Sequence, residues 1–235
     1  MADPLVSVLL PVFNGERFLA DAIESVLNQR GPRREIVVID DGSTDSTTEV
    51  IAGFGARVRS LRQSNRGPAA ARNTGLKVAR GGLITWIDHD DLWPRDRLEI
   101  QVDFLQAHPE VDIVLGLQEL RVEAGADLPA WASARRLPAP GDTSPNEAAI
   151  YPPPTMMARR SAFERNGFFS TEMEWSDDAD WLLRARDNGL RIAPLDHLLL
   201  IRRIHGGNLT YDTSALARGA ALALKARIDR KRSRA

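Results

Sequence analysis

Two short acidic segments carry the strongest chemical signal in this chain. Asp88-His89-Asp90-Asp91 places three carboxylates within four residues at the end of an apolar run, and Asp177-Asp178-Ala179-Asp180 repeats that density between Trp175 and Trp181. Crowded carboxylates repel and raise one another's pKa. A hard divalent cation, Mg2+ or Mn2+, relieves that repulsion because it favours oxygen ligands, and it can also grip phosphate oxygens. Capping of the following helix accounts for Asp91, which leaves Asp88 and Asp90 for the metal. In the second cluster the acids suit a helix N-terminus, while the flanking tryptophans offer aromatic faces to sugar C–H surfaces. Asp40-Asp41-Gly42-Ser43 is either a turn with a helix cap or a carboxylate aimed at a base or ribose. Arg66 and Arg72 flank a helix start and face either phosphate or solvent. His205 follows a further apolar run and is either structural or a metal ligand.

These residues need elements to hold them, and the first ninety residues alternate strand and helix signals. Apolar runs at 6–12, 35–40, 57–61 and 83–87 read as strands. Helical spacing links Phe18, Leu19, Ala22, Ile23, Val26 and Leu27, and Pro68 opens a helix closed by Gly81-Gly82. This βαβ pattern predicts a mostly parallel, Rossmann-like sheet with helices on both faces. Such sheets bind ligands beyond the strand carboxyl ends, where strand order reverses. With strand order 3-2-1-4, Pro11-Val12-Phe13-Asn14 and Asp88-His89-Asp90-Asp91 meet there although far apart in sequence. Beyond residue 95 the reading gives a helix through Leu98, Val102 and Leu105, strands at 111–115 and 198–204, short helices near 161–166 and 177–188, and a last helix over 214–232. Seven of the fourteen prolines fall in 129–154, which reads as a long irregular surface segment.

Composition narrows the chemistry. The 235 residues are 43% hydrophobic and 27% charged, enough for a sizeable core, and the formal net charge is −1. No cysteine is present, which removes disulfides, thiolate nucleophiles and cysteine metal sites. A phosphate-binding P-loop, a dinucleotide glycine fingerprint and a Gly-x-Ser-x-Gly elbow are all missing. No apolar run reaches the ~20 residues that span a bilayer, and the N-terminus has no signal-peptide pattern, so the expected location is cytoplasmic. Residues 218–235 hold seven Lys or Arg against one Asp, so the rest of the chain is acidic and a general nucleic-acid binder is excluded. The basic tail is either a solvated terminus or a peripheral anchor on anionic membrane.

Taken together, Val6-Ser7-Val8-Leu9-Leu10-Pro11-Val12-Phe13-Asn14-Gly15, the Asp40-Asp41-Gly42-Ser43-Thr44-Asp45 turn, Asn65-Arg66-Gly67 with Ala71-Arg72-Asn73, and Trp86-Ile87-Asp88-His89-Asp90-Asp91 resemble family 2 glycosyltransferases of the GT-A fold. The match is specific over about 5–95 and continues more weakly to about 210 through Gly167-Phe168 and the second acidic cluster. The resemblance implies one domain over 1–235: a nucleotide-sugar half to about 95, a smaller acceptor half over about 96–212, and a basic helix over 213–235. It implies an inverting transferase that uses a nucleotide-diphosphate sugar, foremost a UDP-sugar, with Mn2+ or Mg2+ and a glycan, lipid-linked or other hydroxyl acceptor. Donor binding passes to Pro11, Phe13, Asn14, Asp40 or Asp41, Arg66, Arg72 and Asp88. The metal passes to Asp88, Asp90 and His205, and the acceptor side to Asp177, Trp175 and Trp181. The family's Glu-Asp pair reads Asp177-Asp178 here, and the resemblance places the base at its second member, Asp178. A nucleotidyltransferase and a non-catalytic nucleotide-sugar-binding protein are the rival readings; Pro11-Val12-Phe13-Asn14 lacks the Gly-rich basic loop of the first.

Overall fold

The computed structural model describes residues 4–129, 153–173, 176–208 and 212–232. In chain order the elements are β1 (Val6–Val12), α1 (Leu19–Leu27), β2 (Arg34–Asp40), α2 (Thr47–Phe54), β3 (Arg59–Arg62), α3 (Pro68–Val78), β4 (Leu83–Trp86), α4 (Arg97–Ala107) and β5 (Ile113–Val122), then β6 (Met157–Arg159), α5 (Arg160–Asn166), α6 (Asp177–Asp187), β7 (Ile192–Ile204) and α7 (Thr213–Arg232). The proline-rich segment expected over 129–154 lies almost wholly outside the described residues.

All seven strands join one sheet, in the order β3-β2-β1-β4-β6-β5-β7. The first four run parallel in the expected order, with β1 registered on β2 from Val6↔Arg34 to Val12↔Asp40 and on β4 from Val6↔Leu83. Side chains alternate between the faces. Val6, Val8, Leu10 and Val12 enter one core with α1, α2 and α4, and Leu9 enters the opposite core with α3, α5 and α6. Burial on both faces is why β1 reads as an unbroken apolar run rather than an alternating one.

The second half departs from a purely parallel plan. Three-residue β6 pairs antiparallel with both β4 and β5. Strands β5 and β7 are longer than their apolar runs indicate, because they continue as a mutual ladder through polar residues such as Gln118↔Leu200 and Leu120↔Arg202. Backbone pairing sustains a strand there without a hydrophobic signal.

The basic tail also differs from a freely solvated terminus. Ala223 of α7 is buried, and Arg227 forks onto Asp187 of α6 at 2.8–3.2 Å. Arg230 meets Asp180 at 2.9 Å and Lys231 meets Asp187 at 3.8 Å. Lys225 and Arg232 remain exposed, and Arg234 lies outside the described residues. Among the described residues, no helix is long and apolar enough to cross a membrane.

Candidate active site

A cleft of about 1040 Å³ opens beyond the carboxyl ends of β1 and β4, at the reversal of strand order. Its β1 wall begins with Pro11, Val12, Phe13 and Asn14. Phe13 is 43% exposed, an unusual setting for a phenyl ring and one suited to stacking on a planar ligand. Asn14 has φ +52°, and its backbone N–H donates to Ser43 Oγ (2.9 Å) while its Oδ1 accepts the Thr44 N–H (2.8 Å). Gly15 donates to Thr47 Oγ1 (2.8 Å), and a Cβ there would lie 2.8 Å from the His89 ring. The loops after β1, β2 and β4 are thus fastened to one another by short-range polar contacts and one glycine.

The β2 turn divides its two acids. Asp40 Oδ1 accepts from the Ser43 N–H (2.8 Å), and its carboxylate meets Arg62 at 3.6 Å; it closes its own turn and does not line the cleft. Asp41 does line the cleft, but it also accepts from Gln63 Nε2 (2.7 Å), the Arg66 N–H (3.0 Å) and the Gly67 N–H (2.8 Å). It therefore holds the loop that starts α3. Arg66 takes part through its backbone, while its guanidinium turns to Gln63 (3.1 Å) away from the cleft.

The first acidic cluster sorts into three environments. Asp91 is buried and accepts the backbone N–H of Arg203 on β7 (3.0 Å). Burial, then Asp90 and Asp88, push its carboxyl well above the ordinary range. Asp90 faces His205, with Oδ2 and Nε2 3.1 Å apart, and accepts from Asn208 Nδ2 at 3.0 Å. Burial alone would raise its pKa, but the hydrogen bond from His205 and the neighbouring imidazoles outweigh it and hold the group below the usual carboxylate range. Asp88 is more open and meets Arg72 at 3.3 Å. His205 reaches this position because Arg203 pins the end of β7 to Asp21 of α1 (2.8 Å) and Phe18 packs on the imidazole (4.5 Å between centroids).

The Asp90 carboxylate suits either Mn2+ or Mg2+, whereas the His205 nitrogen suits Mn2+ better than the oxygen-preferring Mg2+. Among the described residues, no three His, Asp or Glu side chains converge on a single point. Asp90 and His205 lie together, while Asp88 is drawn instead to Arg72. Asn208, which fixes the Asp90 carboxylate, was not singled out from the sequence. Its only signal is its place three residues after His205.

The second cluster sorts the same way on the first turn of α6. Asp180 is buried between Arg184 (2.8 Å) and Arg230 (2.9 Å). Asp177 is buried and meets Arg72 at 2.7 Å. Asp178 lines the cleft, accepts only the Ala179 N–H (2.6 Å), and is pushed up to about 6 by burial and then by Asp177, against the pull of Arg72. Arg72 thus joins the two clusters. Its guanidinium is buried over the Trp86 ring (5.5 Å), and burial disfavours its charge, but Asp177, Asp88 and Asp178 more than restore it.

One expectation for the acceptor side changes. Trp181 is fully buried, packs against Phe163 (4.6 Å) and donates its indole N–H to the Gly167 carbonyl (2.8 Å). It is a core residue: it sits nearly a turn further along α6 than Asp178, where it packs with Phe163 and Phe169. Trp175 lies outside the described residues. The facing wall is Pro153 and Pro154, set by Arg97 and Gln101 of α4, which donate to the Pro154 and Thr155 carbonyls (2.9 and 2.8 Å).

Known proteins resemble this chain in sequence and in fold. An uncharacterized glycosyltransferase of Rickettsia felis is 35% identical over 213 residues, covering 89% of this chain and 34% of that protein, so this chain spans about a third of that relative's length. TarS of S. aureus, residues 1–349, superposes with a TM-score of 0.69 at 25% identity over 84% of this chain and 60% of that one. The mannosyltransferase PcManGT of Pyrobaculum calidifontis, solved with GDP-Man and Mn2+, has the same fold, with a TM-score of 0.71 at 24% identity over 96% of this chain and 65% of that one. The family model described as Glycosyl transferase family 2 matches residues 7–167, well over half of the sequence, and the chain belongs to that family.

Proposed function

We propose that the chain transfers a sugar from a nucleotide-diphosphate sugar, foremost a UDP-sugar, to a hydroxyl acceptor with inversion at the anomeric carbon. The observation that carries this reading is the pair of cleft-facing acids: Asp90, held ionised beside His205, and Asp178, raised to about 6 and without a cationic partner closer than the Arg72 it shares with Asp177. At fold level, the neighbours solved with UDP-GlcNAc and with GDP-Man and Mn2+ agree with it.

The nucleoside end lies along Pro11, Phe13, Asn14 and Asp41, with Arg72 and Asp88 toward the diphosphate. Asp90 and His205 would hold Mn2+ or Mg2+, which when bound offsets charge developing on the departing diphosphate. Asp178 accepts the proton of the acceptor hydroxyl as its oxygen attacks the anomeric carbon and the bond to the diphosphate breaks. One carboxylate suffices, since inversion is a single displacement, and Asp177 is already neutralised by Arg72. Release of UDP from radiolabelled UDP-sugars, together with calorimetry of UDP in Mn2+ and in EDTA, tests the reading. Equal UDP affinity in the two media would count against it.

Lys225 and Arg232 on the outer face of α7 favour peripheral contact with anionic lipid, where a lipid-linked acceptor would be met. Co-sedimentation with phosphatidylserine vesicles should weaken in the Lys225→Glu/Arg232→Glu variant and with rising salt. Sedimentation unchanged by either removes the membrane contact.

A further inference from the structure

A diphosphate brings negative charge into the cleft, and the cleft walls are acidic. Among the described residues six aspartates line it, against three arginines, Arg17, Arg72 and Arg202. An anionic donor therefore depends on cations that the aspartates have not already claimed. Arg72 is claimed by Asp177 (2.7 Å) and Asp88 (3.3 Å). Arg202 lies in the field of Asp91, a carboxyl raised by burial and by its acidic neighbours and drawn back by that cation. Arg66, read from the sequence as a phosphate candidate, turns its guanidinium to Gln63 and does not line the cleft.

Arg17 is left. It is exposed on the cleft wall, two residues ahead of α1. The acids nearest to it in sequence are committed elsewhere. Glu16 accepts the Ser46 N–H (3.0 Å). Asp21 stands at the i,i+4 spacing at which an acid and a base pair on a helix, yet it is held by Arg203 at 2.8 Å. Among the described residues no carboxylate pairs with Arg17. What positions it is an aromatic ring: its guanidinium carbon lies 4.6 Å from the centroid of Phe18. Phe18 in turn packs on His205, 4.5 Å between centroids, and His205 meets Asp90 at 3.1 Å. Both ring distances are measured to the same phenyl group, so a single aromatic ring links Arg17 to the Asp90–His205 pair. Stacking uses the face of a guanidinium and leaves its N–H edge for the forked contact that phosphate oxygens favour.

We infer that Arg17 is a donor-binding residue whose guanidinium contacts the diphosphate of the nucleotide sugar. This rests on the nucleotide-sugar reading above, and it assigns to the donor site a residue that no sequence motif singled out. A diphosphate seated between the nucleoside wall at Phe13 and the Asp90–His205 pair passes beside Phe18. There Arg17 supplies positive charge that no aspartate of the cleft has neutralised. The same contact strengthens as negative charge grows on the departing diphosphate.

Calorimetry of UDP in Mn2+, with the full chain and its Arg17→Lys, Arg17→Met and Arg17→Glu variants, tests the assignment. Because Arg17 is exposed, each variant should melt within about 2 °C of the wild type. UDP affinity should fall about 5–30-fold in Arg17→Met. It should fall further in Arg17→Glu and less in Arg17→Lys, which keeps the charge and loses the fork. Wild-type UDP affinity in Arg17→Met overturns the assignment. Equal losses in Arg17→Met and Arg17→Glu also overturn it, because packing over Phe18 and not charge at the phosphate would then be what was lost. A variant that melts far below the wild type overturns it too, by making Arg17 a structural residue. Failure of the wild type itself to bind UDP in Mn2+ would instead be a failure of the nucleotide-sugar reading.

Discussion

The acidic segment after β4 and the acidic segment opening α6 have nearly the same composition, and the fold divides each in the same way. In each, one acid is buried as a clamp: Asp91 on the Arg203 backbone, and Asp180 between Arg184 and Arg230. In each, one acid is paired with Arg72: Asp88 and Asp177. The remaining acid of each, Asp90 and Asp178, lines the cleft without being a clamp or an Arg72 ion-pair partner, while Asp88, Asp91 and Asp177 line it as well. The difference lies in what those last two are given. Asp90 receives an imidazole and an amide, which favour its charged form. Asp178 is given burial and a carboxylate neighbour, which favour its protonated form and outweigh the single backbone N–H it accepts and the pull of Arg72. In the proposed mechanism identical side chains are thereby set to opposite tasks, holding charge and exchanging a proton, by their burial and their partners.

The largest expected effect breaks this comparison at its proton-exchanging member. Asp178→Asn keeps the shape and should lower turnover by roughly 10²–10⁴-fold, with calorimetric UDP affinity in Mn2+ near wild type. Loss of turnover in Asp177→Asn but not in Asp178→Asn would assign the base to the other carboxylate. The shared arginine comes next. Arg72→Met leaves Asp177 and Asp88 facing each other without a cation and should destabilise the fold by about 3–5 kcal/mol in denaturant titrations. The double variant Arg72→Met/Asp177→Asn should recover part of that loss, and no recovery would mean that the pair does not couple the clusters.

At the charge-holding member the expected effects are smaller. Asn208→Ala frees the Asp90 carboxylate without removing it and should weaken Mn2+-dependent UDP binding by about 10–100-fold, with binding in EDTA unchanged. The smallest effect is thermal. Asp178 titrates at about 6 in the folded chain, against about 4 for an unperturbed Asp. The native state therefore binds more protons than the unfolded state between those values, and stability falls as pH rises through that window. Asp178→Asn should accordingly melt a few degrees higher than wild type at pH 8 and at the same temperature at pH 4. Wild-type turnover should rise as pH passes about 6 and then level off. A pH-independent difference in melting would show that Asp178 is not the raised group.

Much of this was legible in the sequence, for definite reasons. The parallel order of β1 to β4 follows from apolar runs and helical spacing. The meeting of Pro11–Asn14 with Asp88–Asp91 follows from that order alone, and the clusters themselves are visible as local composition. Where the reading went astray, the deciding contact was distant in sequence. Trp181 lay beside the acids on paper and in the core in space, since it sits nearly a turn further along α6 than the cleft-lining Asp178, where it meets Phe163 and Phe169. Arg72, read as facing either phosphate or solvent, lines the cleft but is also paired with Asp177, 105 residues away, a contact with no local signal. Asp40 turned inward, three of the seven basic residues of the tail were spent on α6, and β6 was too short to leave a periodic signal.

The sequence by itself determined the sheet, the end of the sheet at which a ligand would bind, and which short segments line that place, because those depend on periodicity and strand polarity. Only the tertiary structure decided which carboxylate in each cluster is a clamp, which is an ion-pair partner and which is free to meet a ligand. Protonation and pairing depend on burial and on charges brought together across more than a hundred residues. No local pattern encodes that distance.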